Sequence, residues 1–150
     1  MSLRWRAGVA VLGVLSSSLY ADQLVVVSPH RKSIADEFVP QFEAYYKATV
    51  GRDIKVEWID QGGTENDLRF LISQYKENPK TSGVDVLWGG GEMSFMELDK
   101  RKLLVAQELD APLTTQIPSQ VAGTPLRSAT GTWHATALSS FGLFFNKRLL

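Results

Sequence analysis

The chain has 150 residues, 44% hydrophobic and 21% charged, which is an ordinary balance for a globular domain. Its formal net charge is zero, so composition indicates neither a basic nucleic-acid-binding surface nor an acidic disordered tail. It contains no cysteine, which excludes a small disulfide-stapled scaffold. We therefore expect one domain with a conventional hydrophobic core and no nucleic-acid partner.

The N-terminal stretch differs from the rest of the chain. Arg4 and Arg6 precede the apolar run "AGVAVLGVL" (7–15), and the segment "SSSLYA" (16–21) follows, ending in the small residue Ala21. This order predicts a secretory signal peptide over residues 1–21, cleaved near Ala21. The apolar run is about half of what a bilayer crossing needs. A short membrane anchor or a buried N-terminal helix is the alternative.

The first strand–turn–helix unit follows the signal peptide. Residues 23–28 ("QLVVVS") form a continuous apolar run, typical of a strand buried on both faces of a parallel sheet. A helix is predicted over about 33–49, with Ser33 and Asp36 as a capping box and Pro40 as the point of a bend. Its apolar residues recur at helical spacing on one face: Phe38, Phe42 and Tyr45.

Two further units repeat this order. Residues 53–60 alternate apolar and polar side chains, which predicts a strand; Thr64 is the predicted N-cap of the next helix. Residues 84–88 are the third predicted strand, and Ser94 with Glu97 resembles a capping box that opens a short third helix. Three such units predict an α/β fold with a parallel sheet and right-handed crossovers.

The amino-acid composition changes from Ala111 onwards, where proline and glycine become frequent. Residues 132–150 contain two apolar, strand-like segments on either side of Ser139 and Ser140. The final residues, 147–150, resemble the first turn of a helix. We expect the chain to be a fragment of a longer protein.

Candidate binding residues follow the three predicted strands. In an open parallel sheet, ligands bind at the carboxyl ends of the strands. Two of the turns are rich in glycine and lead into helix N-termini, where free amides and the helix dipole favour an anion. The alternative is that these glycines only permit tight turns. The residues at this edge are Ser28 and His30, then Gly62, Gly63 and Thr64, then Gly89, Gly90 and Gly91.

Other kinds of site are poorly supported. No complete dinucleotide fingerprint or P-loop is present, and the two histidines, His30 and His134, lack metal-ligand spacing. Ser139 or Ser140 with His134 does not form a nucleophilic triad, because no nucleophile elbow is present. We predict no catalytic residue, no metal site and no cofactor. Trp88 is expected in the core or on the floor of the cleft.

Four segments occur in an order that resembles a known family. They are "LVVVSPHRKSIADEFVPQFE", "VEWIDQGGTENDLRFL", "DVLWGGGEMSFMEL" and "TWHATALSSFGLFFNKRLL". Together they resemble the periplasmic solute-binding proteins of ABC importers, in the branch usually labelled ferric-iron transport, which also contains binders of phosphorylated small molecules. The resemblance covers nearly all of residues 22–150.

The resemblance implies a type II periplasmic-binding fold, in which two lobes close on a ligand. Residues 22–131 would be the first lobe, and residues 132–150 would be crossover strands leading to a second lobe that is largely missing. It places Ser139 and Ser140 in the cleft with the turn residues. It also implies a periplasmic, monomeric protein that delivers its ligand to an inner-membrane permease.

The resemblance is compatible with two classes of ligand, ferric iron and a small anionic solute. Ferric-binding relatives often have a metal-ligating acid where this chain has Gly89 and Gly90. Glycine turns suit a phosphorylated or carboxylated solute, or an anion that accompanies ferric iron. An exported enzyme and a ligand-sensing module on a related two-lobed scaffold are the alternative functions.

Overall fold

The computed structural model describes residues 21–109 and 111–139. The predicted signal peptide, except Ala21, lies outside this range, as do Ser140 and the second apolar segment after it. The elements in chain order are β1 (Asp22–Val27), α1 (Lys32–Val50), β2 (Ile54–Ile59), α2 (Thr64–Glu77), β3 (Val86–Leu87), α3 (Glu92–Lys100), α4 (Ala111–Gln116), β4 (Gln120–Val121) and β5 (Thr124–Pro125).

The first three strands form a parallel sheet in the order β2-β1-β3. The central strand β1 is the most buried of the three, with Val26 and Val27 almost fully enclosed. The chain runs from β1 to β2 and then passes back across β1 to reach β3. Right-handed crossovers therefore place α1 on one face of the sheet and α2 on the other. This confirms the predicted α/β class and its parallel sheet.

The predicted helix caps are wrong at all three helices. The helix α1 begins at Lys32 after Arg31, and no side chain caps it. The residues before α2 and α3 are Gly63 and Gly91, with φ of 124° and 77°. These backbone angles suit glycine and start each helix directly after the turn, so Thr64 already belongs to the helix and does not cap it.

The apolar face predicted for α1 is only partly covered. Phe38, Phe42 and Tyr45 are 49%, 37% and 65% exposed. The buried residue of this helix is Ala35, which has a small side chain. Pro40 lies inside the helix, which continues on both sides of it.

The third strand is shorter than the predicted 84–88. The Asp85 carboxylate accepts the N–H of Val25 at 2.8 Å, while the Asp85 N–H donates to the Val25 carbonyl at 2.9 Å. The Asp85 side chain therefore occupies a position that a strand carbonyl would otherwise take. Regular pairing begins only at Val86.

The segment after α4 folds back onto α3. β4 and β5 form a small antiparallel pair, and Arg127 forms a single antiparallel bridge with His134. The Thr132 hydroxyl donates to Asp99 of α3 at 2.8 Å, and Trp133 is buried. The first of the two predicted strand-like segments, which precedes Ser139, does not form a regular strand in the described residues, since its pairing is limited to this bridge.

Across residues 21–109 and 111–139, none of the helices combines the length and apolarity that a membrane crossing requires. The buried apolar side chains of the described residues belong to β1, to the helices α1, α2 and α3 and to the folded-back segment: Val26, Val27, Ala35, Leu71, Leu98, Leu126 and Trp133.

Candidate functional site

The turns after β1 and β3 meet where the chain changes direction in the sheet. The chain leaves β1 towards β2 on one side, and β3 lies on the other side of β1. In open α/β sheets such a switch point leaves a crevice at the carboxyl ends of the strands. Ser28, His30, Trp88 and Gly89 lie there.

Ser28 connects these two turns. Its side chain is fully buried, and its hydroxyl donates to the Trp88 carbonyl at 2.7 Å. The same oxygen lies 2.8 Å from Nδ1 of His30 and accepts the His30 backbone N–H at 3.3 Å. The buried serine thus holds the imidazole of the first turn against the third turn.

The third turn is approached closely by side chains from the other two turns. A Cβ at Gly89 would lie 2.2 Å from Cε1 of His30, and a Cβ at Gly90 would lie 2.9 Å from Cγ2 of Thr64. Both distances are shorter than van der Waals contact. These two glycines therefore permit close packing as well as a turn, and the structure brings His30, Thr64, Gly89 and Gly90 together.

The remaining turn glycines have a different role. A Cβ at Gly63 or Gly91 would meet nothing within 4 Å, and one at Gly62 would lie 3.5 Å from the Asn66 amide. All three residues have positive φ. At these positions glycine is favoured because it adopts a positive φ without steric strain, and not because a neighbouring side chain needs the space.

The second turn holds carboxylates of its own chain at the predicted anion-binding amides. The Gly62 N–H donates to Asp60 at 2.8 Å, and the Gln61 N–H donates to Asp67 at 3.1 Å. Acidic residues also occur in the first turn of α2, where they are Glu65 and Asp67, and in the first turn of α3, where it is Glu92, but not in the first turn of α1. The second turn is therefore the least suited of the three turns to an anion, and Glu92 places one negative charge beside the third turn.

Asp67 is a buried acid at the base of the second turn. It is 1% exposed, and its Oδ2 has no hydrogen-bond partner among the described residues. Burial raises the pKa of the Asp67 carboxyl, the Gln61 N–H opposes this rise, and the nearby charge of Asp60 adds to it. The Asp67 carboxyl thus holds the second turn through the hydrogen bond that its Oδ1 accepts from the Gln61 N–H, while burial disfavours its charged form.

Trp88 is the centre of an aromatic cluster beside the site. Its ring centroid lies 4.9 Å from that of Phe38, 5.2 Å from that of Trp58 and 5.7 Å from that of His30. Its Nε1 donates to the Thr136 hydroxyl at 3.2 Å. Trp88 is half-buried, so it belongs to the cluster and also presents surface to the cleft.

Two grooves adjoin the cluster. The larger has a volume of about 770 Å³ and runs along the free edge of β3; predicted site residues Gly89, Gly91 and Ser139 line it together with Trp88. The smaller, of about 420 Å³, lies beside α1 and is lined by His30, Trp58 and Asp60, among others. Ser28 is buried beneath the site, and Gly62, Gly63, Thr64 and Gly90 line neither groove.

Sequence reasoning missed three residues of the site: Asp60, Asp67 and Thr136. An Asp two positions before a turn glycine is a known signal for a side chain that bonds its own backbone, so Asp60 was open to prediction. Asp67 lies three residues after Thr64, a spacing that is also typical of a helix start, and nothing in the sequence marks Thr136 as the acceptor for Trp88.

Among the described residues, no three His, Asp or Glu side chains lie close enough together to hold a metal ion. No protein-family model matches this chain, and no curated protein matches it closely enough to count as a relative.

Proposed function

We propose that this chain is the exported substrate-binding component of an ABC importer. Residues 22–131 would form the first lobe of a type II periplasmic-binding fold, and residues 132–150 would lead into a second lobe. The protein would capture a small solute in the periplasm and deliver it to an inner-membrane permease, without bond chemistry of its own.

The observation that supports this proposal is the contact between turns at the switch point of the sheet. Ser28 bonds the third turn through the Trp88 carbonyl, and His30 packs on the bare backbone of Gly89. Such packing fixes the relative positions of groups on separate turns before a ligand arrives. Preorganisation of this kind reduces the ordering cost of binding.

The solute would occupy the side of the cleft formed by the first and third turns. Gly89, Gly91 and Ser139 provide polar groups in the larger groove, where Trp88 provides an apolar surface, and His30 provides a polar group in the adjoining smaller groove. The carboxylates on the second turn make that end unsuited to an anion. We therefore propose a small phosphorylated or carboxylated solute, or ferric iron with an accompanying anion, bound at the first and third turns.

One lobe alone would bind weakly. Micromolar affinity corresponds to about −8 kcal/mol, and hydrogen bonds contribute only about 0.5–1.5 kcal/mol each where water competes. Closure by a second lobe would exclude that water, and hinge closure of this kind is known in periplasmic binding proteins. Reopening at the permease would release the solute.

The test is native mass spectrometry of the full-length protein purified from the periplasm of its own host. We expect a fraction of the protein to retain a small solute that unfolding releases. Full-length protein that carries no solute, and whose melting temperature is unchanged by phosphorylated, carboxylated and ferric-anion candidates, would contradict the proposal.

A further inference from the structure

We propose that Ser28 is a positioning residue that holds neutral His30 in the Nδ1–H tautomer, so that Nε2 offers a lone pair to the cleft. The first part follows from hydrogen-bond geometry alone. The second part, which concerns the solute, rests on the proposed function.

The single proton of the Ser28 hydroxyl determines the tautomer. The Trp88 carbonyl oxygen can only accept, and it lies 2.7 Å from Ser28 Oγ, so the hydroxyl proton points at it. Ser28 Oγ lies 2.8 Å from Nδ1 of His30, and because its proton points at Trp88 it can only accept a hydrogen bond from Nδ1. A stable contact at this distance requires the proton to be on Nδ1.

The surroundings of the ring keep it in this orientation. Cε1 of His30 lies against the bare Cα of Gly89, and the Trp88 ring flanks the imidazole with a centroid distance of 5.7 Å. Ser28 is fully buried, so water does not compete for its hydroxyl. The serine, the glycine and the indole together restrict rotation of the imidazole.

The other ring nitrogen is the one left for a ligand. Nε2 has no hydrogen-bond partner among the described residues, and His30 is half-buried at the smaller groove. A neutral imidazole with its proton on Nδ1 can only accept at Nε2. The group of the solute that faces His30 should therefore carry a proton, as a hydroxyl, an ammonium or a monoprotonated phosphate does.

The tautomer can be observed by NMR of the chain with ¹⁵N-labelled histidine. The sequence has only two histidines, so His134→Gln identifies the His30 signals. At a pH where His30 is neutral, we expect Nδ1 to resonate as a protonated nitrogen and Nε2 as an unprotonated one. A wild-type His30 with its proton on Nε2 would overturn the proposal, whatever the variants do.

Variants of Ser28 separate positioning from packing. Ser28→Ala removes the hydroxyl with little change in volume and should shift His30 towards the Nε2–H form, which an unconstrained imidazole prefers. Ser28→Thr keeps a hydroxyl and should retain the Nδ1–H form. An Ala variant that folds and keeps the wild-type tautomer would show that Ser28 does not set it.

The solute part is tested on the full-length protein with inorganic phosphate and sulfate. These anions have similar size and shape, but at neutral pH only phosphate has a proton to donate. We expect phosphate to bind roughly tenfold more tightly than sulfate, as one additional hydrogen bond allows, and Ser28→Ala to reduce this ratio towards one.

The outcomes distinguish this inference from the proposed function. Equal binding of the two anions, with the Nδ1–H tautomer observed, would overturn the solute part and leave the positioning role of Ser28. Binding of neither anion would count against the anionic solute of the proposed function. It would also overturn the inference that the solute donates a proton to His30. The tautomer of His30 would still be decided by the NMR spectrum.

Discussion

At Gly89 the missing side chain leaves the space that the imidazole of His30 occupies. The same relation holds between Gly90 and the methyl group of Thr64, at a slightly longer distance. Single atoms therefore decide how the turns fit together, since one added Cβ would overlap a neighbour. The second turn depends on single hydrogen bonds instead, from the Gln61 and Gly62 amides to two carboxylates.

Gly89→Ala should displace His30, whereas Gly91→Ala should not. Both glycines have positive φ, so each substitution should cost about 1–3 kcal/mol of backbone strain. Only the Cβ at Gly89 would also meet the imidazole, at 2.2 Å. Urea unfolding measures the strain, and the His30 NMR signals report the displacement. Equal perturbation of these signals by both variants would contradict the predicted contact.

Asp67→Asn should stabilise the protein at neutral pH. The pKa of Asp67 is raised above its ordinary value of 3.8, so the folded state retains this proton when the unfolded state has released it. The contribution of Asp67 to stability is therefore full below about pH 3.8 and is lost as the pH rises through the folded-state pKa. Asparagine keeps an acceptor for the Gln61 N–H and has no charge to bury.

Urea unfolding at pH 4 and pH 7 measures this effect. The advantage of Asp67→Asn over wild type should be greater at pH 7 than at pH 4. Asp67→Ala is the matched control: it also removes the charge but leaves the Gln61 N–H without its acceptor, so it should be less stable than Asp67→Asn by about 1–3 kcal/mol at both pH values. An advantage of Asp67→Asn that shrinks as the pH rises would refute the buried-charge argument.

At the scale of the elements, the alternation of strands and helices along the chain followed from the hydrophobic pattern, but the order of the strands in the sheet was not predicted. The apolar run before Ser28 and the alternation in β2 were sufficient to predict a parallel sheet with a helix after each strand. The helix starts were not predictable in the same way. Polar residues near each start match the sequence pattern of a helix cap, but none of them caps its helix. Glycine geometry at Gly63 and Gly91 provides the start instead.

The candidate site was predictable only in outline. The edge of the sheet followed from topology, and His30 and Gly89 were correctly placed at it. Which groups would meet there depended on side-chain directions that a one-dimensional pattern does not contain. The Asp60 carboxylate illustrates this limit, since it accepts the Gly62 N–H that the glycine pattern had assigned to a ligand.

The Asp85 carboxylate should contribute measurably to the pairing of β1 with β3. Asp85→Ala removes the acceptor of the Val25 N–H and should lower the free energy of unfolding by about 1–2 kcal/mol. Asp85→Asn retains an acceptor oxygen and should cost less. Hydrogen exchange of the Val25 amide is the local measurement, and unchanged protection in Asp85→Ala would show that the carboxylate is dispensable.

At the scale of the whole molecule, the described part has a thin core. Leu71 and Leu98 are almost fully enclosed, whereas large apolar side chains such as Met93 and Val105 are 70% and 75% exposed. The segment around Trp133 covers α3 and is tied to it through Thr132 and Asp99. Stability should therefore be concentrated in a few central side chains.

Leu98→Ala should be among the most damaging single substitutions. Leu98 is 1% exposed, and removing a buried leucine side chain typically costs about 2–5 kcal/mol. Met96 lies on the same helix but is 47% exposed, so Met96→Ala should change the free energy of unfolding by roughly 0.5 kcal/mol or less. Thermal or urea unfolding of the pair is the measurement, and similar losses would contradict the assigned core.

The fit of His30 against Gly89 also has an evolutionary consequence. A lineage cannot acquire a larger residue at position 89 while position 30 retains its ring, because the two would overlap. The two sites should therefore covary among descendants of this gene: replacement of the glycine should follow, and not precede, loss of the imidazole.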